Sequence, residues 1–167
     1  MVPKVKVERA DDPIWRFLEL PSDEVMHHHL SEFPVVTVDS TLDNILSIMR
    51  SQSYVWVVED KTSMKLVGII ELIELLRYFI PPEDTSYRFG SVKRAMRSFH
   101  KGGSPTAGDI VDDAVVCNRS TPVRKVIMRM VRQRVWRIAV TDKDGRLIGE
   151  ITQKGLIRQF YHYYRYG

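Results

Sequence analysis

The sequence predicts a mixed α/β (α+β) chain: two β-α-β-β-α repeats packed with pseudo-twofold symmetry, plus an N-terminal helical segment and a helical linker. Three observations predict it. "KLVGIIELIELLRYF" at 65–79 and "RLIGEITQKGLIRQF" at 146–160 share a Leu-hydrophobic-Gly core and a final Phe, and Gly68 and Gly149 stand 81 residues apart. Under that same offset Leu42, Ile45, Leu46 and Met49 map onto Val123, Val126, Ile127 and Met130, each set spaced i, i+3, i+4, i+7 as one face of a helix. After each helical stretch come two β-favouring runs separated by turn residues.

The elements follow in order. "VVTV" at 35–38 and "AVVC" at 114–117 read as leading strands, with a one-residue slip between the copies. The first helices come next, and Pro122 is tolerated in the second because the first turn needs no N–H there. "YVWVV" at 54–58 and "VWRIAV" at 135–140 are rich in branched and aromatic side chains and read as inner strands. A hairpin follows each, through "EDKTSMK" in the first copy and "DKDG" in the second, where Gly145 supplies a positive φ. "KLVGII" and "RLIGEI" then read as returning strands. Leu75, Leu76 and Phe79 match Leu156, Ile157 and Phe160 as the buried stripe of a closing helix. One such unit is too small to bury both faces of its sheet, so the two are expected to pack together.

Around the repeats, "DPIWRFLEL" and "SDEVMHHHL" predict one or two short helices, and the linker runs from a Pro-Pro stop to a Gly-Gly-Ser-Pro loop with a basic helix between. The expected boundaries are an N-terminal extension at 1–30, a first repeat at 31–80, the linker at 81–106 and a second repeat with an aromatic tail at 107–167.

Composition excludes some functions and leaves others open. The formal charge of +4 permits anionic partners but falls short of a dedicated nucleic-acid binder. A single cysteine, Cys117, rules out an internal disulfide and argues for a reducing, cytoplasmic setting. No apolar run approaches membrane-spanning length and the N-terminus lacks a secretory pattern, so no membrane association is expected. Two Asn and four Gln beside abundant charge fit a heat-adapted composition, against which seven Met weigh mildly. Adjacent histidines at 27–29 point in different directions on a helix, and no metal site is expected. No Walker loop, GxSxG elbow or HExxH motif occurs, so no catalytic residue and no enzymatic activity are expected. Arg88, Lys93, Arg94, Arg97 and Lys101 in the linker, interleaved with Tyr87 and Phe99, form a candidate nucleic-acid surface; the competing reading is a solvated helix. The tail "QFYHYYRYG" reads as a cover for the core or a subunit contact.

The repeated pattern resembles the CBS domain, named for cystathionine β-synthase, and two copies resemble the tandem pair called a Bateman module. "STPVRKVIMRMVRQRVWRIAVTDKDGRLIGEIT" at 120–152 carries the resemblance most strongly, "STLDNILSIMRSQSYVWVVEDKTSMKLVGIIE" at 40–71 more loosely, and it extends over about 23–160. It implies a stand-alone regulatory module without cofactor that binds an adenosine-containing metabolite, such as AMP, ADP, ATP, S-adenosylmethionine or methylthioadenosine, in clefts between the repeats. It also implies a homodimer and an effector protein as partners. Nucleic-acid binding or scaffolding through the linker and tail is the alternative.

In the family each returning strand ends in Gly, two hydrophobics, Ser or Thr, two residues and Asp. The Gly admits the ligand, the hydroxyl reaches phosphate or ribose, the acid takes the ribose hydroxyls and the helix N-terminus faces a phosphate. By that resemblance the candidate ligand residues are Gly68, Ile70, Glu71 and Glu74 in the first repeat and Gly149, Ile151, Thr152 and Lys154 in the second, with Thr37 in the first leading strand and Thr121 after the second. Arg137 resembles the family's basic strand residue, reaching into the cleft of the other repeat, and its first-repeat counterpart reads as Val55 or Trp56. The first copy replaces the hydroxyl by Glu71, and the second lacks the ribose acid. Glu71 beside a phosphate costs several kcal/mol unless Arg137 neutralises it. Three arrangements stay open: a phosphate-free or cationic nucleoside at Glu71, a cleft closed by a Glu71–Arg137 pair, or a nucleotide held by Thr152, Lys154 and backbone. Equally open is that Thr152 caps its helix and that Glu71 and Glu74 answer the helix dipole.

Overall fold

The computed structural model describes residues 12–80 and 102–166. The basic helix expected in the linker lies outside them. The elements are α1 (Pro13–Glu19), two 3₁₀ turns (Ser22–Glu24 and Leu30–Glu32), β1 (Val35–Thr37), α2 (Leu42–Met49), β2 (Tyr54–Val58), β3 (Leu66–Glu71), α3 (Leu72–Tyr78), α4 (Ala107–Ile110), β4 (Val116–Cys117), α5 (Val123–Gln133), β5 (Arg137–Thr141), β6 (Leu147–Thr152) and α6 (Gln153–Tyr166). They form two three-stranded sheets, β1-β2-β3 and β4-β5-β6, whose leading strands run parallel to the inner ones. β3 returns antiparallel to β2. The chain divides into two compact units: His29–Ala114 with Lys143–Leu147, hereafter the first-sheet unit, and Met1–His28, Val115–Asp142 and Ile148–Gly167, the second-sheet unit.

The helix stripes fold as their spacing dictates. Leu42, Ile45 and Met49 of α2 are buried with Val36, Val55, Val57, Ile70 and Leu75, while Leu46 packs at the margin. Val123, Val126 and Met130 of α5 are buried with Ile138, Val140, Ile151 and Leu156, with Ile127 at the margin. Thr41 starts α2 by accepting a hydrogen bond from Asn44 N at 3.3 Å, a cap worth about 1 kcal/mol.

The repeat register differs from the sequence expectation in one respect. Val35 lies opposite Trp56 and Val116 opposite Ala139, so across the inner strands the offset is 83 residues instead of 81. Arg137 therefore corresponds to Tyr54, correcting the match to Val55 or Trp56. The cause is α5, which at 11 residues is three longer than the 8-residue α2 and ends on Arg134 in the left-handed conformation. A shorter second hairpin restores the original offset by β6. The closing helices also depart from expectation. Leu75 and Leu156 are buried, but Leu76 is 55% and Ile157 70% exposed, because each helix leans on its core along a narrow line. Phe160 is drawn in by Phe17 of α1, whose ring meets it edge-on at 5.3 Å, whereas Phe79 is exposed. Between α2 and α3 this leaves an apolar groove of about 620 Å³ lined by Leu46, Met49, Leu72, Leu75, Leu76 and Phe79.

Each unit is completed by the segment that leads into the other repeat. Ala107 and Ile110 of α4, just before β4, are buried in the first-sheet core. Asp112 then pairs with Ile69 of β3 through reciprocal N–H···O bonds of 3.0 Å. In the second-sheet unit Val25 and Met26, which precede β1, are buried in the core. His27 pairs in the same way with Glu150 of β6, at 2.8 and 3.2 Å. The Ser22 N–H and hydroxyl both donate to the Thr121 carbonyl, fixing this crossing. Where the segments cross, only glycine fits. A Cβ on Gly68 would stand 2.2 Å from the Asp112 carbonyl oxygen and 2.6 Å from Val111, and one on Gly149 would stand 2.8 Å from the His27 oxygen. The two glycines thus make room for the protein's own chain.

Two stability effects follow. Gly68→Ala is expected to destabilise by about 1–3 kcal/mol, the range for overpacking, and Gly149→Ala by less, because part of its clash is with the flexible Met26 side chain. Parent-like melting of the Gly68 variant would refute the crossing. Phe17→Ala, removing a side chain 2% exposed, is expected to cost about 3–5 kcal/mol in chemical denaturation.

Candidate functional site

The candidate residues gather where each returning strand meets its closing helix. In the first-sheet unit β3 ends on Glu71, opposite Tyr54. Glu71 and Glu74 form a capping box: the Glu71 carboxylate accepts from the Glu74 N–H, and Glu74 Oε2 accepts from the Glu71 N–H at 3.1 Å. Arg77 Nη1 lies 3.5 Å from Glu74 and 3.7 Å from Asp112, tying the helix to the crossing segment. Burial pushes the Glu74 carboxyl above the usual range, against the opposing pull of backbone hydrogen bonds and Arg77. The Thr37 hydroxyl donates to Asp39, and its N–H donates to Ser40 Oγ at 3.1 Å, so it is engaged in the turn after β1.

In the second-sheet unit Thr152 caps α6, its Oγ1 accepting from the Gly155 N–H at 3.0 Å. A hydroxyl that accepts one bond keeps its proton for another acceptor. The Gln153 N–H donates to the Trp136 carbonyl at 3.0 Å, matching the bond from Leu72 N–H to Ser53 in the first repeat. The repeat relation therefore sets Arg137 opposite Thr152, as Tyr54 is set opposite Glu71. Lys154 lies exposed in the first turn of α6. Thr121, buried, donates its hydroxyl to Asn118 Oδ1 at 2.9 Å and accepts from Asn118 N–H at 3.1 Å.

The candidates divide by unit: Thr37, Gly68, Ile70, Glu71 and Glu74 in one, and Thr121, Arg137, Gly149, Ile151, Thr152 and Lys154 in the other. Ile70 and Ile151 lie inside the two cores, so their side chains build the strands beneath the site. The capping readings of Thr152, Glu71 and Glu74 hold in the geometry. Arg88, Lys93, Arg94, Arg97 and Lys101 lie outside the described residues. Of the three adjacent histidines, His27 serves the β6 bridge through its backbone and His28 Nε2 lies 3.0 Å from the Asp23 carbonyl. Among the described residues no group of three His, Cys, Asp or Glu side chains is placed to hold a metal, and no helix is long and apolar enough to cross a membrane. Cys117 is buried 3.6 Å from Ser22 Oγ, and burial raises its thiol.

Sequence reasoning did not anticipate Tyr54, Arg77 and Asp112 around the first junction, nor the burial of Glu150 at 7% exposure. Only Glu150 carried a signal, as an acid within an apolar strand. Chemically the junctions are opposites. One presents two carboxylates, suited to hydroxyls or a cation; the other presents a hydroxyl, a guanidinium and a helix N-terminus, suited to an anion.

Comparison with known proteins accords with this arrangement. No curated protein sequence matches the chain. Among solved structures, CBSX2 in complex with AMP shares 20% identity at a TM-score of 0.67, over 86% of this chain and 97% of that one. The CBS domain of a bacterial CNNM/CorC family Mg²⁺ transporter in complex with ATP shares 19% at 0.64, over 89% and 92%. A CBS domain-containing protein from Thermotoga maritima shares 18% at 0.60, over 86% and 95%. These likenesses establish the fold. The CBS domain family model matches residues 23–81 and 107–162, more than half of the sequence, and the chain belongs to the CBS-domain family.

Proposed function

We propose that this chain is a regulatory module that binds an adenosine-containing metabolite and conveys its occupancy, as a homodimer, to a separate effector protein. CBS-domain proteins are generally regulatory modules rather than enzymes, and two of the similar structures hold AMP and ATP. The observation that carries the reading is the second junction: Thr152 Oγ1 with a proton to donate, Arg137 on the adjoining strand, and Lys154 in the first turn of a 14-residue helix. Together they supply a charge-assisted cradle for a phosphate. The Glu71–Glu74 junction suits ribose hydroxyls or a cationic nucleoside, since a phosphate about 4 Å from a carboxylate is opposed by about 4 kcal/mol at an effective dielectric of 20.

Calorimetric titration of the full chain with AMP, ATP and S-adenosylmethionine tests the proposal. At least one should bind, and no heat with all three rejects it. For a phosphorylated ligand, Arg137→Gln and Thr152→Val are each expected to weaken binding about 10-fold, the size of one lost hydrogen bond to a charged group. Unchanged affinity in both would remove the second junction from the site. Because burial raises the Glu74 carboxyl, it gains its proton at a pH above the ordinary glutamate value of about 4.3. Binding of a cationic nucleoside such as S-adenosylmethionine at this junction should therefore weaken as pH falls through the raised value. Glu74→Gln should flatten that dependence, measured as affinity against pH.

A further inference from the structure

The two helix pairs, alike in fold, differ in charge. α5 and α6 carry seven Lys and Arg and no Asp or Glu, whereas α2 and α3 carry Asp43 and Glu74 against Arg77. The aromatic tail is not a loose cover: it is the second half of α6. Leu156, Phe160 and Tyr163 turn inward to the core and α1. On another face Lys154, Arg158, Tyr161 and Arg165 follow at i, i+4, i+7 and i+11, all exposed, in one continuous line along the helix. Tyr161 is 60% exposed, and beside it lie Ile157 and Tyr164 at 70% and 60%. None of the three cations in the line is paired with an acid among the described residues.

We infer that this face of α6 binds single-stranded nucleic acid, the cations meeting successive phosphates and Tyr161 stacking on a base. Lys154 and Arg158 are about 6 Å apart along the axis and Arg165 about 10 Å further, with the ring between the last two. Cations that track a backbone, with an aromatic platform among them, are the elements of sequence-tolerant single-strand binding, and a base is free to stack only when it is unpaired. Other occupants fit less well. A helix lying in a membrane surface buries its apolar face in lipid, and here Leu156, Phe160 and Tyr163 are turned to the core and Phe17, leaving Ile157 as the one exposed aliphatic side chain of α6. A second copy seated face to face sets cations against their own images. A copy offering α2 and α3 brings two acids, one of them half-buried and paired with Arg77.

The test is fluorescence anisotropy of the full chain with short labelled oligouridylate and oligodeoxythymidylate, a duplex of equal length, and sedimentation with phosphatidylserine vesicles. Single strands should bind in preference to duplex, with log affinity falling against log salt at a slope of about −2 for three phosphate contacts. Tyr161→Ala should weaken binding about 5- to 100-fold, as for loss of one stacked base. Arg158→Gln with Arg165→Gln should also lower the slope by about 1.4. Thermal melting should be unaffected by these exposed substitutions, and the nucleotide titration by Tyr161→Ala, which lies beyond the reach of the helix start. The inference is overturned by no oligonucleotide binding, by equal affinity for duplex with Tyr161→Ala silent, by vesicle binding in its place, or by binding lost only in Arg94→Gln with Arg97→Gln.

Discussion

The structure depends on two crossings in which a strand glycine lies against the backbone of the segment that opens the other repeat. Ile69 with Asp112, and Glu150 with His27, each exchange two backbone hydrogen bonds. Those bonds form only because no side chain stands at Gly68 or Gly149. The crossings also deliver apolar residues: Ala107 and Ile110 to one core, Val25 and Met26 to the other. Neither core is then built from a contiguous repeat. His29–Ala114 with Lys143–Leu147 make one unit and three separate stretches of chain make the other, so the duplication seen in sequence and the units seen in structure are offset by one segment. The nearest neighbour of each glycine is a backbone carbonyl oxygen, of Asp112 or of His27, and the crossings tolerate little change there because a carbonyl cannot swing aside as a side chain can.

Much of the fold was legible because helix burial is periodic. Leu42, Ile45 and Met49, like Val123, Val126 and Met130, needed only spacing to be assigned to a core. The compensating two-residue shift was not legible. "YVWVV" has no charged residue, and a strand buried on both faces, as Tyr54–Val58 is, carries no alternation against which to set the register of "VWRIAV". Leu76 and Ile157 misled for a different reason: they follow a buried Leu by one residue, about 100° around the helix, and sequence does not tell how wide a face the sheet covers. The crossings were invisible because a single bridge has no period. The strand-helix junctions were readable as a motif, but the capping bonds that occupy Glu71, Glu74 and Thr152 were visible only as an alternative.

Those caps explain how one backbone supports two chemistries. A helix start needs an acceptor for its orphan N–H groups, and either a carboxylate or a hydroxyl serves. With Glu71 and Glu74 the acceptor is charged, and the positive end of the short α3 is already answered from within the chain. With Thr152 the cap is neutral, so the start of α6 keeps its partial positive charge beside Arg137 and Lys154. A side-chain choice that is nearly neutral for folding is thus decisive for the sign of what approaches.

On the proposed readings α6 serves two anions, a phosphate at its first turn and a polynucleotide along its outer face, and distance decides how far they interfere. Lys154 belongs to both places, and Arg158 lies about 6 Å along the axis, inside the screening length of about 8 Å at physiological salt. Arg165, about 16 Å from the start, is outside it. An anion at the helix start therefore competes for Lys154 and Arg158 but leaves Tyr161 and Arg165 untouched. The coupling is negative, partial and weakened by salt. By thermodynamic reciprocity the polynucleotide disfavours the phosphate by the same factor. Strong competition would require the two anions to share Arg165 or Tyr161, which the length of the helix forbids.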